Sequence, residues 1–230
     1  MRAILFDFNG VLVDDEPIHW KTLQKVLEEE DIPLTEEEYY EKYLGLADRT
    51  AFGAILEHFG HGPDPARLAR LVARKASYYR TEIREHGFPV FAGAAELVRG
   101  AHDAGWMLGV VTGALRDEVE SALRQMELLD RFKTLVAAED VSRGKPDPEG
   151  YRKGLQELNS LPPLPERLLH PHEVLVIEDS PAGLRAAGAL GLTTVAVTHT
   201  YGAERLEGAD AVVESLTELT PASIQHRFPS

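Results

Sequence analysis

The sequence predicts a doubly wound α/β fold, a parallel sheet with helices on both faces, carrying an inserted helical domain. Three observations predict it. Short apolar runs alternate with helix-period segments through most of the 230 residues. Those runs are apolar at nearly every position rather than at every second one, as strands buried on both faces are. One long stretch, 15 to 86, breaks the alternation and shows helical patterns only.

Strands are expected at 2–6 ("RAILF"), 107–111 ("MLGVV"), 133–137 ("KTLVA"), 173–177 ("EVLVI") and 193–197 ("TTVAV"). Helices are expected between them near 93–104, 115–127, 147–157 and 181–189. The stretch after the first strand reads as four helices, at about 17–30, 36–44, 47–59 and 65–85, broken by the Pro and Gly of "DIPLT" and "GHGPDP". The expected organisation is an α/β core of 1–14 and 87–230, with a helical cap domain at 15–86. Inserted at a strand end, such a domain is placed to act as a lid. The proline-rich segment 158–173, "LNSLPPLPERLLHPHE", reads as a surface connection, and its two clustered histidines as loop residues rather than zinc ligands.

Composition narrows the function. A formal charge of −14 opposes nonspecific binding to nucleic acid or anionic membrane. No apolar run is long enough to span a bilayer, and residues 2 to 6 read as a strand rather than as part of a signal peptide. There is no cysteine, hence no disulfide and no thiolate nucleophile. A cytoplasmic protein is expected. The sequence carries no signal of oligomeric state.

Four polar clusters fall at successive strand ends, where sheets of this type gather their chemistry. Asp7 and Asn9 follow the first strand, and Thr112 with Gly113 the second. Lys145 comes after the third, and Glu178 and Asp179 close the fourth. Singly, each reads as an ordinary turn or helix cap. Jointly they describe one crevice. Carboxylates, a carboxamide and backbone oxygens suit a hard cation such as Mg²⁺. A lysine and a hydroxyl beside it suit a phosphate, and a carboxylate there can attack phosphorus. Competing motifs fail: Gly144-Lys145 is followed by proline, so no P-loop is present, and neither G-x-G-x-x-G nor H-E-x-x-H occurs at the required places.

Those residues stand in "FDFNGVLVDDEP", "VVTGA", "RGKPDP" and "VIEDSPAGLRAA", in that order across nearly the whole chain. The sequence thereby resembles the haloacid dehalogenase superfamily, in particular its capped phosphatases and β-phosphoglucomutase-like phosphomutases. The resemblance implies Asp7 as nucleophile and Mg²⁺ ligand, and Asn9 as a metal ligand through its backbone carbonyl. Thr112 and the Gly113 amide would bind phosphoryl oxygens, Lys145 would balance charge, and Asp179 and Glu178 would hold the metal. In the helical stretch, "LGLADR" resembles the family's substrate-facing segment through Gly45 and Arg49, and similarity also implicates His19 and Lys75 in substrate contact or closure. The implied partner is a small phosphorylated metabolite.

One position departs from the pattern. Asn9 stands where the family's phosphotransferases usually have an aspartate that donates and accepts protons. A carboxamide cannot do so at neutral pH. The reading that follows is a Mg²⁺-dependent hydrolase of small phosphate monoesters, attenuated by Asn9, with Asp15, Glu16 or His19 as substitute bases. A sugar phosphomutase is the nearest alternative, and a noncatalytic sensor of phosphorylated ligands is the alternative from another class. Asn9 is followed by Gly10, a pair disposed to deamidation because glycine hardly hinders attack by its own amide nitrogen.

Overall fold

The computed structural model describes residues 1–62 and 64–228. Six parallel strands form one sheet in the order β3-β2-β1-β4-β5-β6. They are β1 (Ala3–Phe6), β2 (Met107–Val111), β3 (Thr134–Val136), β4 (Val174–Glu178), β5 (Thr193–Val197) and β6 (Ala211–Val213). The chain builds outward from β1 in one direction and then from β4 in the other, so the topological switch lies between those two strands. Every residue of β1 and β4 is buried, and both read as apolar runs, broken only by Glu178 at the end of β4. Register pairs Phe6 with Ile177, so the residues that follow, Asp7 and Glu178, leave the sheet level with one another.

The helices of this unit are α5 (Ala94–Asp103), α6 (Arg116–Gln125), α7 (Glu149–Ser160), α8 (Pro181–Gly188) and α9 (Pro221–Arg227). Tyr151 and Leu158 of α7, with Ala186 and Ala187 of α8, pack with Leu5, Val111 and Val176 of the sheet into one core. Chain contacts divide the molecule into two compact units: Met1–Asp14 with the chain from Phe88 onward, and Asp15–Gly87.

The second unit contains α1 (Glu16–Glu28), α2 (Glu36–Lys42), α3 (Asp48–His58) and α4 (Pro65–His86). Two of its helices start at side-chain caps. Thr35 and Glu38 form a reciprocal capping box on α2. Asp64 accepts the amides of Ala66 and Arg67, both at 2.9 Å, with Pro65 opening α4. Leu23, Val26 and Leu27 of α1 meet Phe52 and Ile55 of α3 and Leu71 of α4 in a separate core.

Two elements were not expected from the sequence. β6 is only three residues long, flanked by polar ones, and owes its strand character to pairing with β5. α9 likewise follows a short polar segment. The fourth strand runs one residue later at each end than the expected 173–177. Glu173 sits in a 3₁₀ turn, where its carboxylate accepts two bonds from Arg167 at 2.6 and 2.8 Å and the His170 amide at 3.0 Å.

Candidate active site

The turn after β1 is wound around a single carbonyl. Phe8 O accepts the amides of Val11, Leu12 and Val13, and the Gly10 amide returns to Val13 O at 2.9 Å. Gly10 has φ +73°, and a Cβ there would lie 1.9 Å from Asp179 Oδ2. Only glycine combines that left-handed backbone with so close an approach. The Asp7 amide is anchored to Ile177 O at 2.9 Å, which ties the head of the turn to β4.

Across the switch point, the loop after β4 is equally constrained. Ser180 caps α8 by accepting the Gly183 amide at 3.1 Å, and its hydroxyl donates to Glu178 Oε2 at 3.0 Å. A Cβ on Gly183 would fall 1.8 Å from Glu178 Oε1, so the first turn of α8 can lie against that carboxylate only with glycine in place. The second Glu178 oxygen accepts the Tyr151 hydroxyl at 2.6 Å. The Thr200 hydroxyl, just past β5, bonds to the Asp179 carboxylate.

The ends of β1 and β4, with the segment between β3 and α7, bring four of the expected residues together. Lys145 Nζ lies 2.8 Å from Asp7 Oδ1 and 2.5 Å from Glu178 Oε1. Asp7, Glu178 and Asp179 are all buried, and each offers an oxygen within 4.8 Å of the others. Burial, opposed by Lys145 and reinforced by Glu178, raises the Asp7 pKa to about 7. Burial and the neighbouring Asp7 and Glu178 push Asp179 well above the carboxylate range. Burial works against charge on Lys145, but Asp7 and Glu178 outweigh it and raise its pKa. The result is a buried cluster with more carboxylates than cations.

Two observations say what such a cluster fits. Three desolvated carboxylates crowded at this distance repel one another, and a hard divalent cation with oxygen ligands would relieve that repulsion. Asp7 and Glu178 take two of the three N–H donors of the Lys145 ammonium, which leaves a third. A buried N–H donor of that kind can serve a further oxygen acceptor such as a phosphoryl group.

The remaining core residues stand at neighbouring strand ends. Asn9 is half-buried within the turn, one residue before Gly10. Thr112 is buried and its hydroxyl accepts the Ala114 amide at 3.0 Å, while Gly113 is exposed with open space where a Cβ would be. Sequence reasoning missed Tyr151, Thr200 and His199. Tyr151 lies six residues past Lys145 on what reads as an ordinary amphipathic helix, and nothing in the local pattern sets it apart.

The other three candidates belong to the helical unit. Arg49 is exposed in the first turn of α3. His19 and Lys75 are not isolated surface charges. Lys75 is 2% exposed, and its Nζ contacts His19 Nδ1 at 2.5 Å and Asp48 Oδ1 at 2.6 Å. His19 Nε2 lies 3.2 Å from Asp15 Oδ2, which also accepts the Tyr79 hydroxyl at 2.6 Å. Glu16 accepts the Tyr39 hydroxyl at 2.5 Å. Each side chain proposed as a substitute base thus has a hydrogen-bond partner within its own unit.

With this geometry in view, comparison with known proteins places the chain. The family model of haloacid dehalogenase-like hydrolases matches residues 4–197. The chain belongs to that family, in its phosphatase branch, and is a hydrolase. It is 32% identical to validoxylamine A 7'-phosphate phosphatase of Streptomyces hygroscopicus subsp. limoneus, over 95% of each chain. It is 28% identical to a phosphorylated carbohydrates phosphatase of Thermotoga maritima, over 93% of this chain and 94% of that one. Its fold matches, with a TM-score of 0.79 and 28% identity over 95% of this chain and 96% of the other, an Asp-to-Asn mutant of CbbY from Rhodobacter sphaeroides in complex with xylulose-(1,5)bisphosphate.

Proposed function

We propose that the protein hydrolyses small phosphorylated carbohydrates or similar polyols, with Asp7 as nucleophile and Mg²⁺ held by Asp7, Glu178, Asp179 and the Asn9 backbone carbonyl. The observation that carries this reading is the meeting of Asp7, Lys145, Glu178 and Asp179 at the switch point, with carboxylates in excess. Relatives named for phosphorylated carbohydrates and for validoxylamine A 7'-phosphate support the substrate class.

In this reading Lys145 orients Asp7 and balances charge on the phosphoryl group. Thr112 and the Gly113 amide hold its oxygens. Asp7 Oδ forms a bond to phosphorus as the alcohol's oxygen leaves, giving an aspartyl-phosphate, and water then releases inorganic phosphate and restores Asp7. The bound cation would supply electrostatic stabilisation of the transferring charge. Arg49, with His19 and Lys75 as a preorganised pair, is proposed to meet the remainder of the substrate. Residues 15–86 are proposed as the cap and the remaining chain as the catalytic core.

Asn9 leaves the leaving oxygen without its usual proton donor, so turnover is low while binding is retained. A CbbY Asp-to-Asn mutant holds a sugar bisphosphate, so such a change in a related fold is compatible with ligand binding. Hydrolysis is favoured over a mutase, because a mutase depends on the missing proton transfer in both half-reactions. The test is phosphate release from a panel of sugar and polyol phosphates, with and without Mg²⁺. Asp7→Asn should reduce it to background, and release that survives this change or full chelation would reject the assignment.

A further inference from the structure

The Asn9-Gly10 pair has a partner outside the four strand-end clusters. His199 lies just past β5 and beyond the stretch matched by the family model, which ends at 197. Its Nδ1 is 2.9 Å from the Gly10 carbonyl oxygen, so the ring donates a hydrogen bond to it. Phe91 seats the ring by stacking, with centroids 3.7 Å apart and planes 12° from parallel. The Gly10 amide donates to Val13 O at 2.9 Å on the other side. Both polar backbone atoms of Gly10 are therefore held, and the next residue, Thr200, bonds to Asp179.

This restraint bears on the chemistry of Asn9. Deamidation requires the Gly10 nitrogen to lose its proton and swing onto Asn9 Cγ. A new C–N bond forms, ammonia leaves, and water opens the cyclic imide to aspartate or isoaspartate. Aspartate at this position would restore a proton-transfer group. Isoaspartate would lengthen the main chain inside the turn. A Gly10 peptide clamped at both ends resists the swing that begins either course.

We propose that His199 is a positioning residue that, by holding the Gly10 carbonyl, fixes the Asn9-Gly10 turn and preserves Asn9 as asparagine. The inference rests on the geometry of the turn and not on the phosphatase reading, and its readout is chemical rather than catalytic. The chain contains a second asparagine, Asn159, whose side chain is held by Leu169 through bonds of 2.8 and 3.2 Å. It serves as an internal reference for general loosening.

The experiment incubates the full-length protein, His199→Ala, His199→Asn and Phe91→Leu at neutral pH, with peptide mass analysis of positions 9 and 159. Loss of one hydrogen bond of ordinary net strength corresponds to about a fivefold change. His199→Ala should accumulate aspartate and isoaspartate at position 9 about that much faster than the parent, with Asn159 unchanged. His199→Asn retains a side-chain N–H near the place of Nδ1 and should stay close to the parent rate. Phe91→Leu, which loosens the ring but keeps the donor, should fall between them. Three results would overturn the proposal: an unchanged rate at position 9 in His199→Ala, equal acceleration at Asn159, or no rescue by His199→Asn.

Discussion

The two units each hold a cluster of charged side chains around a lysine, and the clusters are built on opposite principles. In the helical unit, Asp48, Lys75, His19, Asp15 and Tyr79 form a chain in which donors and acceptors alternate, closed by stacking of His19 on Tyr79 at 4.6 Å. At the sheet's switch point, three carboxylates share one ammonium, which contacts only two of them, Asp7 and Glu178. The first arrangement satisfies itself and stabilises its fold. The second leaves repulsion in place, which a cation and an anionic ligand together would relieve. Burial of charge alone does not mark the centre where chemistry occurs. Residual imbalance does.

The strongest way to sharpen this contrast is to restore a carboxylate in the turn that carries Asp7. Asn9→Asp should raise phosphate release by about 10²–10⁴-fold, the usual contribution of general acid–base catalysis. A variant with unchanged turnover would favour the ligand-sensor alternative.

The next effect is a dependence on pH. The Asp7 pKa stands at about 7 when folded against 3.8 as its ordinary value, so the folded state holds a proton there that the unfolded chain gives up. Metal-free protein therefore loses stability as pH rises through that window. Asp7→Asn has no such loss. Denaturation measured at several pH values without Mg²⁺ should show the variant gaining on the parent by up to about 4 kcal/mol between about pH 4 and pH 8. A constant difference would mean that Asp7 is not crowded.

The helical network predicts the reverse behaviour. Lys75→Met removes the cation between Asp48 and His19, and should cost about 3 kcal/mol of stability by chemical denaturation, near the lower end for breaking a buried pair because Asp48 is 31% exposed. A loss well below 1 kcal/mol would remove the distinction between the two clusters. The smallest effect concerns Tyr151, which orients Glu178 from α7. Tyr151→Phe keeps the packing and should weaken Mg²⁺ affinity about tenfold by calorimetric titration, as loss of an outer partner of a metal ligand typically does. Unchanged affinity would take Glu178 out of the ligand set.

Legibility in the sequence followed the range of the forces involved. The other five strands could be read because strands buried on both faces need continuous apolar runs. β6 could not, because its three residues stand between Asp210 and Glu214 and pairing with β5 supplies its identity. Asp7, Lys145, Glu178 and Asp179 were visible as strand-end polar residues beside turn and cap chemistry. Tyr151, His199 and Thr200 were not, since each acts on a partner at least 21 residues away and shows no local oddity.

By itself, then, the sequence determined the periods, the breaks and the chemical types: which longer apolar runs enter the sheet, where Pro and Gly break the helices, and that position 9 cannot transfer a proton. Tertiary structure alone decided the charge balance. Whether Lys75 is a solvated surface charge or a buried strut, and whether three carboxylates meet or face water apart, depends on distances between segments remote in the chain. Electrostatic energy in a desolvated interior is set by those distances, and no local pattern of residues encodes them.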